Sequence, residues 1–373
     1  MITTVLTIAL LGLGLPYLCS VGALIFGLGR LRRGQNADMP CVSVVVAARN
    51  EEEHIGDCLA ALTTQDYPPQ KIEIIVVDDR SDDRTSQIAS KWAEKADRVH
   101  LFRVGSDPSP LVGKKRALDV GIRHSRGEII LTTDADCTPK PTWIRGMLSY
   151  FEPGVGLVAG YSYTDERGER VPLLQRLRSL ERIAVAAVAA GSIGLRRGVT
   201  CSGQNLAYRK ETFMDVGGFS KIGHLRSGDD DLFLQRIGRF TSWEQRYALS
   251  PDTHVRTRAP SGVRQFIQQE KRRASKGFLY SPWLIAILLP TYGFHVFLFV
   301  ALGLSFIYWS YTYTSWFLLG AKVATEFLLL LTVCSMLRRT DLLALFPMAE
   351  LLHIPYVIIF GLWGTLGTYR WKE

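Results

Sequence analysis

The middle of the chain reads IILTTDADC over residues 129–137, a short apolar run that leads directly into two aspartates. An apolar run of this length is typical of a buried strand, which would place Asp134 and Asp136 at the strand's C-terminal end. A second acidic cluster, SGDDDL, follows at residues 227–232. Crowded carboxylates are costly unless a cation or a proton neutralises them, so both clusters need an explanation.

Two carboxylates one residue apart at a strand end can hold a hard divalent cation, and such a cation commonly bridges a diphosphate. The first cluster therefore predicts a substrate with a nucleotide diphosphate. The alternative is that Asp-x-Asp forms a turn or a helix N-cap, which is the commoner role of an isolated motif of this kind.

Strand-like and helix-like patterns alternate along the part of the chain that leads to Asp134 and Asp136. Short apolar runs over residues 41–47, 72–77, 99–102 and 129–133 are separated by segments with helical periodicity. This alternation predicts an α/β domain with a mostly parallel, doubly wound sheet. Neither a Gly-x-Gly-x-x-Gly fingerprint after the first strand nor a P-loop motif occurs, which disfavours Rossmann dehydrogenases and P-loop enzymes.

Both ends of the chain are apolar enough to enter a membrane. No charged residue occurs from Met1 to Gly29, and a basic segment follows at residues 30–33, so a spanning helix is predicted with the next domain in the cytoplasm. Between Lys276 and Lys322 no charged residue occurs, which predicts a hairpin of spanning helices with its turn near residues 308–313.

Two features of the C-terminal region are less regular. Lys322 and Glu326 lie four residues apart in an apolar segment, and on a helix they are expected to form an ion pair. The last segment, residues 342–367, carries two prolines as well as Glu350 and His353, so either a full span or a re-entrant course is open.

The overall charge and the cysteines restrict the class of protein further. The formal net charge is +9, but the basic residues gather near the apolar segments. An anionic membrane surface or substrate phosphates explain that placement better than nucleic acid does, so no nucleic-acid partner is expected. The six cysteines show no paired metal spacing and fit reduced thiols in a cytoplasmic domain.

Seven ordered motifs between Cys41 and Gly277 resemble those of membrane-anchored family 2 glycosyltransferases with the GT-A fold. They are VSVVVAARNEE (42–52), IIVVDDRSDDRT (74–85), GKKRALDVGI (113–122), TTDADCTPKPTWI (132–144), CSGQNLAYRKETFMDVGGF (201–219), GDDDLFLQR (228–236) and QEKRRASKG (269–277). Two positions depart from the family pattern: Asp119 stands in place of asparagine, and Arg273 stands where Gln-x-x-Arg-Trp has tryptophan.

The resemblance implies transfer with inversion at the anomeric carbon and a role for each matched residue. It implies Asp230 as the catalytic base with Asp229 as its neighbour, and Asp134 and Asp136 as ligands of Mg²⁺ or Mn²⁺. The nucleotide-sugar would be bound by Ala47, Arg49, Glu51, Asp79, Lys114 and Asp134. The acceptor or the diphosphate would contact Gln204, Asn205, Gln269 and Arg272.

From these observations we expect four regions. They are an N-terminal transmembrane helix (1–30), a cytoplasmic GT-A domain (41–260), an interfacial segment with the QxxRR motif (261–281) and a C-terminal transmembrane region of about three segments (282–369). The expected enzyme is an integral protein of the cell (plasma or inner) membrane. It would move a sugar, with UDP as the expected carrier, to a lipid or glycan acceptor among membrane lipids.

Two alternatives stay open from the sequence. One is a processive polysaccharide synthase of the same family, which should need enough spans for a secretion channel. The other is a non-catalytic membrane scaffold that binds sugar nucleotides. The donor sugar and the acceptor depend on pocket shape, for which the sequence has no readable code.

Overall fold

The computed structural model describes residues 2–105, 109–164, 171–259, 262–308 and 312–366. The chain divides into two compact units. We call Arg30–Gly168 together with Val188–Ala259 the sheet unit, and Met1–Gly29, Glu169–Ala187 and Pro260–Glu373 the helical unit.

The sheet unit contains two β-sheets. Its described strands are β1 (Val42–Ala48), β2 (Ile72–Asp78), β3 (Val99–Arg103), β4 (Ile129–Asp134), β5 (Thr138–Pro139), β6 (Val155–Gly160), β7 (Ser162–Thr164), β8 (Leu206–Arg209), β9 (Glu244–Ala248) and β10 (Val255–Thr257). The large sheet has the order β3-β2-β1-β4-β8-β6-β9, and the small sheet has the order β5-β10-β7. All neighbours in the large sheet are parallel except the two that flank β8. The predicted mostly parallel sheet is therefore confirmed, and the antiparallel β8 makes it mixed.

The helices are distributed over both units. They are α1 (Ile2–Gly29), α2 (Ile55–Thr63), α3 (Thr85–Lys95), α4 (Lys114–His124), α5 (Trp143–Leu148), α6 (Leu173–Gly194), α7 (Lys210–Asp215), α8 (Asp231–Phe240), α9 (Val263–Ala274), α10 (Pro282–Ser305), α11 (Thr312–Leu337) and α12 (Phe346–Leu366). Short 3₁₀ helices are formed by Pro69–Lys71, Pro251–Thr253, Gly277–Leu279 and Thr340–Leu345. Helices α2–α5, α7 and α8 belong to the sheet unit, whereas α6 begins in the helical unit and ends in the sheet unit.

Strand β1 lies in the centre of the parallel part of the large sheet, and its side chains alternate between two apolar layers. On one face Val44 and Val46 share a core with Leu59 of α2. On the other face α4 lies so close that a Cβ added to Gly121 would be 2.4 Å from Val45 Cγ1. Because both faces are buried, the strand needs apolar residues at nearly every position, and that continuous run is what made it visible in the sequence.

The helical unit contains four described segments that are long and apolar enough to cross a membrane. They are Thr4–Gly29, Pro282–Ser305, Tyr313–Leu337 and Thr340–Trp363. The predicted turn of the hairpin falls between α10 and α11, where residues 309–311 lie outside the described residues. The last apolar segment is helical up to Leu366, with Pro355 inside α12.

The expected ion pair in this unit is present. Lys322 Nζ lies 2.8 Å from Glu326 Oε1, one helical turn further along α11. Lys322 is fully buried and also contacts the carboxylate of Glu350 on α12. A buried ammonium requires such partners, because an unpaired charge would be costly in an apolar environment.

Candidate active site

The C-terminal ends of three neighbouring strands meet at one edge of the large sheet. Ala47 of β1 lies beside Asp134 of β4, and Ala48 lies beside Asp78 of β2. Asp79 follows directly, and its backbone N–H donates to the carbonyl of Ala48 at 2.8 Å. Three residues predicted to bind the nucleotide-sugar thus share one edge, which is the edge where open α/β sheets bind ligands.

The loops that follow β1 and β2 are tied together by hydrogen bonds. The backbone N–H of Asn50 donates to Ser81 Oγ at 3.0 Å, and the Asn50 side-chain oxygen accepts from the N–H of Asp82 at 2.9 Å. The N–H of Glu51 donates to Thr85 Oγ1 at 2.8 Å. Asn50 has φ 53°, a left-handed conformation that asparagine tolerates better than most residues. The backbone that carries the predicted nucleotide-binding residues is therefore held in a defined shape.

Two of the residues predicted to bind the nucleotide-sugar, Asp79 and Arg49, have buried polar groups. Asp79 is buried, and its Oδ1 accepts from Arg80 Nε at 3.1 Å. The Nε atom of Arg49 is buried and has no hydrogen-bond partner within the described residues. A buried donor without an internal partner is suited to an acceptor that comes from a ligand.

Asp134, Asp136 and Cys137 form a group whose potential ligand atoms lie within 4.8 Å of one another. Burial, together with the charges of Asp134 and Glu51, raises the pKa of Asp136 to about 6. Burial also raises the pKa of the Cys137 thiol well above its usual range. The two carboxylates offer the oxygen ligands that Mg²⁺ and Mn²⁺ prefer, and these residues therefore fit a divalent cation.

Lys114 connects the two acidic clusters. It begins α4 directly after Gly113, and its ammonium contacts Oδ1 of Asp134 and lies 3.5 Å from Oδ2 of Asp229. Burial lowers the pKa of Lys114, but the carboxylates of Asp134, Asp229 and Asp230 raise it by more, so the side chain stays charged. Two clusters that are far apart in the sequence therefore lie in one site.

Gly203 lies where these clusters meet. A Cβ added at this position would be 3.4 Å from Asp229 Oδ2 and 3.4 Å from Lys114 Nζ. The backbone N–H of Gly203 donates to Oδ2 of Asp230 at 3.4 Å. The backbone therefore forms one wall of the site at close range.

The three consecutive aspartates have different surroundings. Asp229 pairs with Lys114. Asp230 is half-buried and is the N-cap of α8, where its Oδ1 accepts from the N–H of Asp231 at 2.7 Å. Asp231 is buried, and its Oδ1 accepts from the N–H of Leu232 at 2.8 Å. Asp230 thus caps α8 and also lies beside Gly203, which brings it into the site.

Asn205 is placed differently from its prediction as an acceptor-binding residue. It is fully buried, and its Nδ2 donates to the carbonyls of Tyr161 at 2.9 Å and Thr253 at 2.8 Å. Its Oδ1 accepts from Trp143 Nε1 at 2.9 Å. This arrangement argues against direct contact with an acceptor and favours a role in shaping the loop behind the site.

We therefore expect Asn205→Ala to destabilise the protein by roughly 2–4 kcal/mol, because it leaves buried donors and acceptors without partners. Thermal unfolding of the purified protein would measure the loss. The matched control is Gln204→Ala, a half-buried neighbour, for which a change of about 1 kcal/mol or less is expected. Unchanged stability of Asn205→Ala together with a raised acceptor KM would instead support direct acceptor contact.

The remaining predicted residues lie in two places. Gln204 is in the sheet unit, and its Nε2 donates to Thr257 Oγ1 at 3.0 Å. Gln269 and Arg272 lie on α9 in the helical unit, and their proposed contact with the acceptor or the diphosphate stays a prediction. Arg273, at the position of the family's tryptophan, pairs with Glu181 at 2.7 Å and with Glu270 at 2.9 Å.

Some residues that shape the site could not be predicted from the sequence. Lys115 is fully buried, and its Nζ donates at 3.0 Å to the carbonyl of Ser227, the first residue of the second acidic cluster. Asn50 lies in the loop predicted to hold the nucleotide and Gly203 lies in the CSGQN motif, but the sequence predicts no individual role for either. Their only sequence signal is their position inside those motifs, because their partners come from distant segments.

Comparison with known proteins agrees with this geometry. Residues 43–217 match the family model for glycosyl transferase family 2. Glycosyltransferase AglE of Haloferax volcanii is 32% identical over 204 residues, which cover 53% of this chain and 61% of that protein. Beta-monoglucosyldiacylglycerol synthase of Synechocystis is 34% identical over 112 residues, which cover 30% of this chain and 23% of that protein. The matched regions span less than two thirds of the length of these curated relatives.

One solved structure is similar over nearly the whole chain. It is the mannosyltransferase PcManGT from Pyrobaculum calidifontis in complex with GDP-Man and Mn²⁺, with a TM-score of 0.59 and 22% identity, covering 97% of this chain and 98% of that one. This similarity shows the fold, which is the GT-A fold of nucleotide-diphospho-sugar transferases. The match to the family model places the family 2 glycosyltransferase similarity in residues 43–217.

Proposed function

We propose that this chain is an inverting glycosyltransferase that moves a sugar from a nucleotide-diphospho-sugar to a hydroxyl of a lipid-linked or membrane-proximal acceptor. The observation that carries the proposal is the single site in which Lys114 joins Asp134 to Asp229, with Asp230 beside them. A site with a cation-binding carboxylate pair on one side and a further carboxylate on the other can serve both the donor and the acceptor.

On the donor side, the nucleotide would be held by Ala47, Arg49, Glu51 and Asp79, and uridine is the expected nucleoside. Asp134 and Asp136 would hold Mg²⁺ or Mn²⁺. When bound, the cation would stabilise the negative charge that builds up on the leaving diphosphate. Mn²⁺ and the nucleotide-sugar GDP-Man are both named for the similar structure PcManGT, which supports a cation and a nucleotide-sugar donor but not the choice of uridine.

On the acceptor side, Asp230 would accept the proton of the attacking hydroxyl, a role that requires a carboxylate within hydrogen-bond reach. Asp229 is engaged with Lys114, so its charge is partly neutralised and it is the weaker candidate for the base. Asp231 is the first residue of α8 and is buried, so its carboxylate is less accessible to an acceptor. The surroundings of the three aspartates thus favour Asp230.

The apolar helices support a location in a membrane. The basic residues Arg30, Arg32 and Arg33 directly follow α1, which by the positive-inside rule supports a cytoplasmic sheet unit. The relative named beta-monoglucosyldiacylglycerol synthase supports a lipid acceptor. We propose the cell (plasma or inner) membrane as the location.

The proposal is tested by incubating the full-length protein with a panel of radiolabelled nucleotide-sugars and total membrane lipid. Label in short lipid products is the expected result. Label in a large polymer would favour a processive synthase. The positive control is a known lipid glycosyltransferase that is active with the same membrane lipid. If that control transfers label and this protein only binds a donor, the scaffold would be favoured.

A further inference from the structure

A second cluster of ionisable side chains lies inside the helical unit, among the candidate membrane spans. His295 of α10, Glu326 of α11 and His353 of α12 each offer one ligand atom, and these atoms lie within 4.8 Å of one another. Ionisable groups at such positions are costly and usually have a function. The cluster has no part in the proposed transfer reaction.

His295 is the most informative member of this cluster. Its Nδ1 lies 2.8 Å from the backbone carbonyl of Thr291, which can only accept a hydrogen bond. Nδ1 therefore carries a proton, and in the neutral ring Nε2 presents a lone pair. His295 is 1% exposed, and its Nε2 has no hydrogen-bond partner within the part of the chain that the structure describes. A buried lone pair with no internal partner points to a bound ion or water.

Glu326 presents its two oxygens to different partners. Oε1 lies 2.8 Å from Lys322 Nζ, whereas Oε2 lies 3.1 Å from His353 Nδ1. Lys322 is held on its other side by Glu350, and it also approaches His353 Nδ1 to 3.1 Å. The ammonium thus has a carboxylate of its own, so Oε2 can face a cation together with the imidazoles.

The charges in the cluster also favour a cation. Lys322 contributes one positive charge, whereas Glu326 and Glu350 contribute two negative charges when ionised. Tyr17 adds a hydroxyl that donates to Glu326 and no charge of its own. The Glu326 carboxylate lies in an apolar environment, where its attraction for a cation is only weakly screened.

We propose that His295, Glu326 and His353 bind a transition-metal ion of the Zn²⁺ type, which would connect α10, α11 and α12. Two imidazole nitrogens and one carboxylate are a donor set that suits Zn²⁺. Bonds of about 2.1 Å in a tetrahedral site place ligand atoms about 3.4 Å apart, and the contact between Glu326 and His353 is close to that value. The hydrogen bond from His295 to Thr291 would orient the ligating ring.

The proposal can be tested by metal binding to the full-length protein in detergent. The protein is stripped with a chelator and titrated with Zn²⁺ in the presence of excess Mg²⁺, which occupies the oxygen site at Asp134 and Asp136. We expect one Zn²⁺ per chain, and an affinity that falls at least about tenfold in His295→Gln. The matched control is His124→Gln, an exposed histidine of the sheet unit outside the cluster, which should leave the Zn²⁺ affinity unchanged.

Absence of stoichiometric Zn²⁺ binding, or the same affinity in folded His295→Gln, would overturn the proposal. A second measurement covers the case in which the variant does not fold. Co²⁺ is added to the wild-type protein, and its visible absorption is recorded. Intense bands of a four-coordinate ion are expected, and the weak bands of a six-coordinate ion alone would overturn the proposal.

Discussion

Asp230→Asn is expected to reduce sugar transfer by roughly 10²- to 10⁴-fold, the usual contribution of a general base. The substitution keeps the size of the side chain and one oxygen, which can still accept from the N–H of Asp231 at the N-cap of α8. The longer contact of 3.4 Å with the N–H of Gly203 uses the other oxygen and is lost. The N-cap of α8 should therefore persist. Because the base is not needed to hold the donor, the affinity for the nucleotide-sugar should change only slightly. Single-turnover transfer and donor binding by calorimetry would measure the two effects separately.

Two variants serve as comparisons for this result. Asp229→Asn should cause an intermediate loss, because it weakens the contact with Lys114 without removing the base. Asp119→Asn introduces the residue of the family pattern at a carboxylate that pairs with the exposed Arg123 one turn further along α4, and no change in transfer is expected. Wild-type turnover by folded Asp230→Asn protein would exclude Asp230 as the base and make Asp229 the next candidate.

Asp136→Asn is expected to weaken cation binding and donor binding together, by about 100-fold or more for the cation. The variant removes one of the two carboxylates that are proposed to hold the ion, and a neutral amide cannot replace its charge. Since the cation is proposed to contact the diphosphate, the donor should lose affinity as well. Free Mn²⁺ measured by electron paramagnetic resonance and donor binding by calorimetry would give both affinities.

Removal of the ion from the wild-type protein should have the same consequence. Excess chelator is expected to abolish transfer, and added Mn²⁺ or Mg²⁺ should restore it. The control is Asp66→Asn, an exposed carboxylate paired with Arg145, which should behave like the wild type. Full transfer in excess chelator, or unchanged Mn²⁺ affinity in Asp136→Asn, would remove the cation from the mechanism.

Much of the fold could be predicted from local patterns along the chain. Strands β1, β2 and β4 are buried on both faces, so they appear in the sequence as continuous apolar runs. Their ends agree with the predictions to within a residue. Asp134 and Asp136 could be placed at a strand end for the same reason, and the apolar spans were visible because a membrane requires long uncharged helices.

Other features depended on contacts between distant segments, and these were decided only by the tertiary structure. Asn205 has a polar side chain of the kind that often binds ligands. Its side chain instead forms hydrogen bonds with Trp143, Tyr161 and Thr253. Lys114 joins two acidic clusters because strand β4 and the loop before α8 converge on the start of α4. No local pattern encodes such partners, since they are set by which elements pack side by side.

In the helical unit, too, one contact could be predicted from the sequence and others were decided only by the tertiary structure. The pair of Lys322 and Glu326 could be predicted, because residues four apart on a helix lie on the same face. The approach of His295 and His353 to that pair could not, because each histidine comes from a different helix. Helical periodicity determines which side chains share a face, whereas the packing of the helices determines which faces meet.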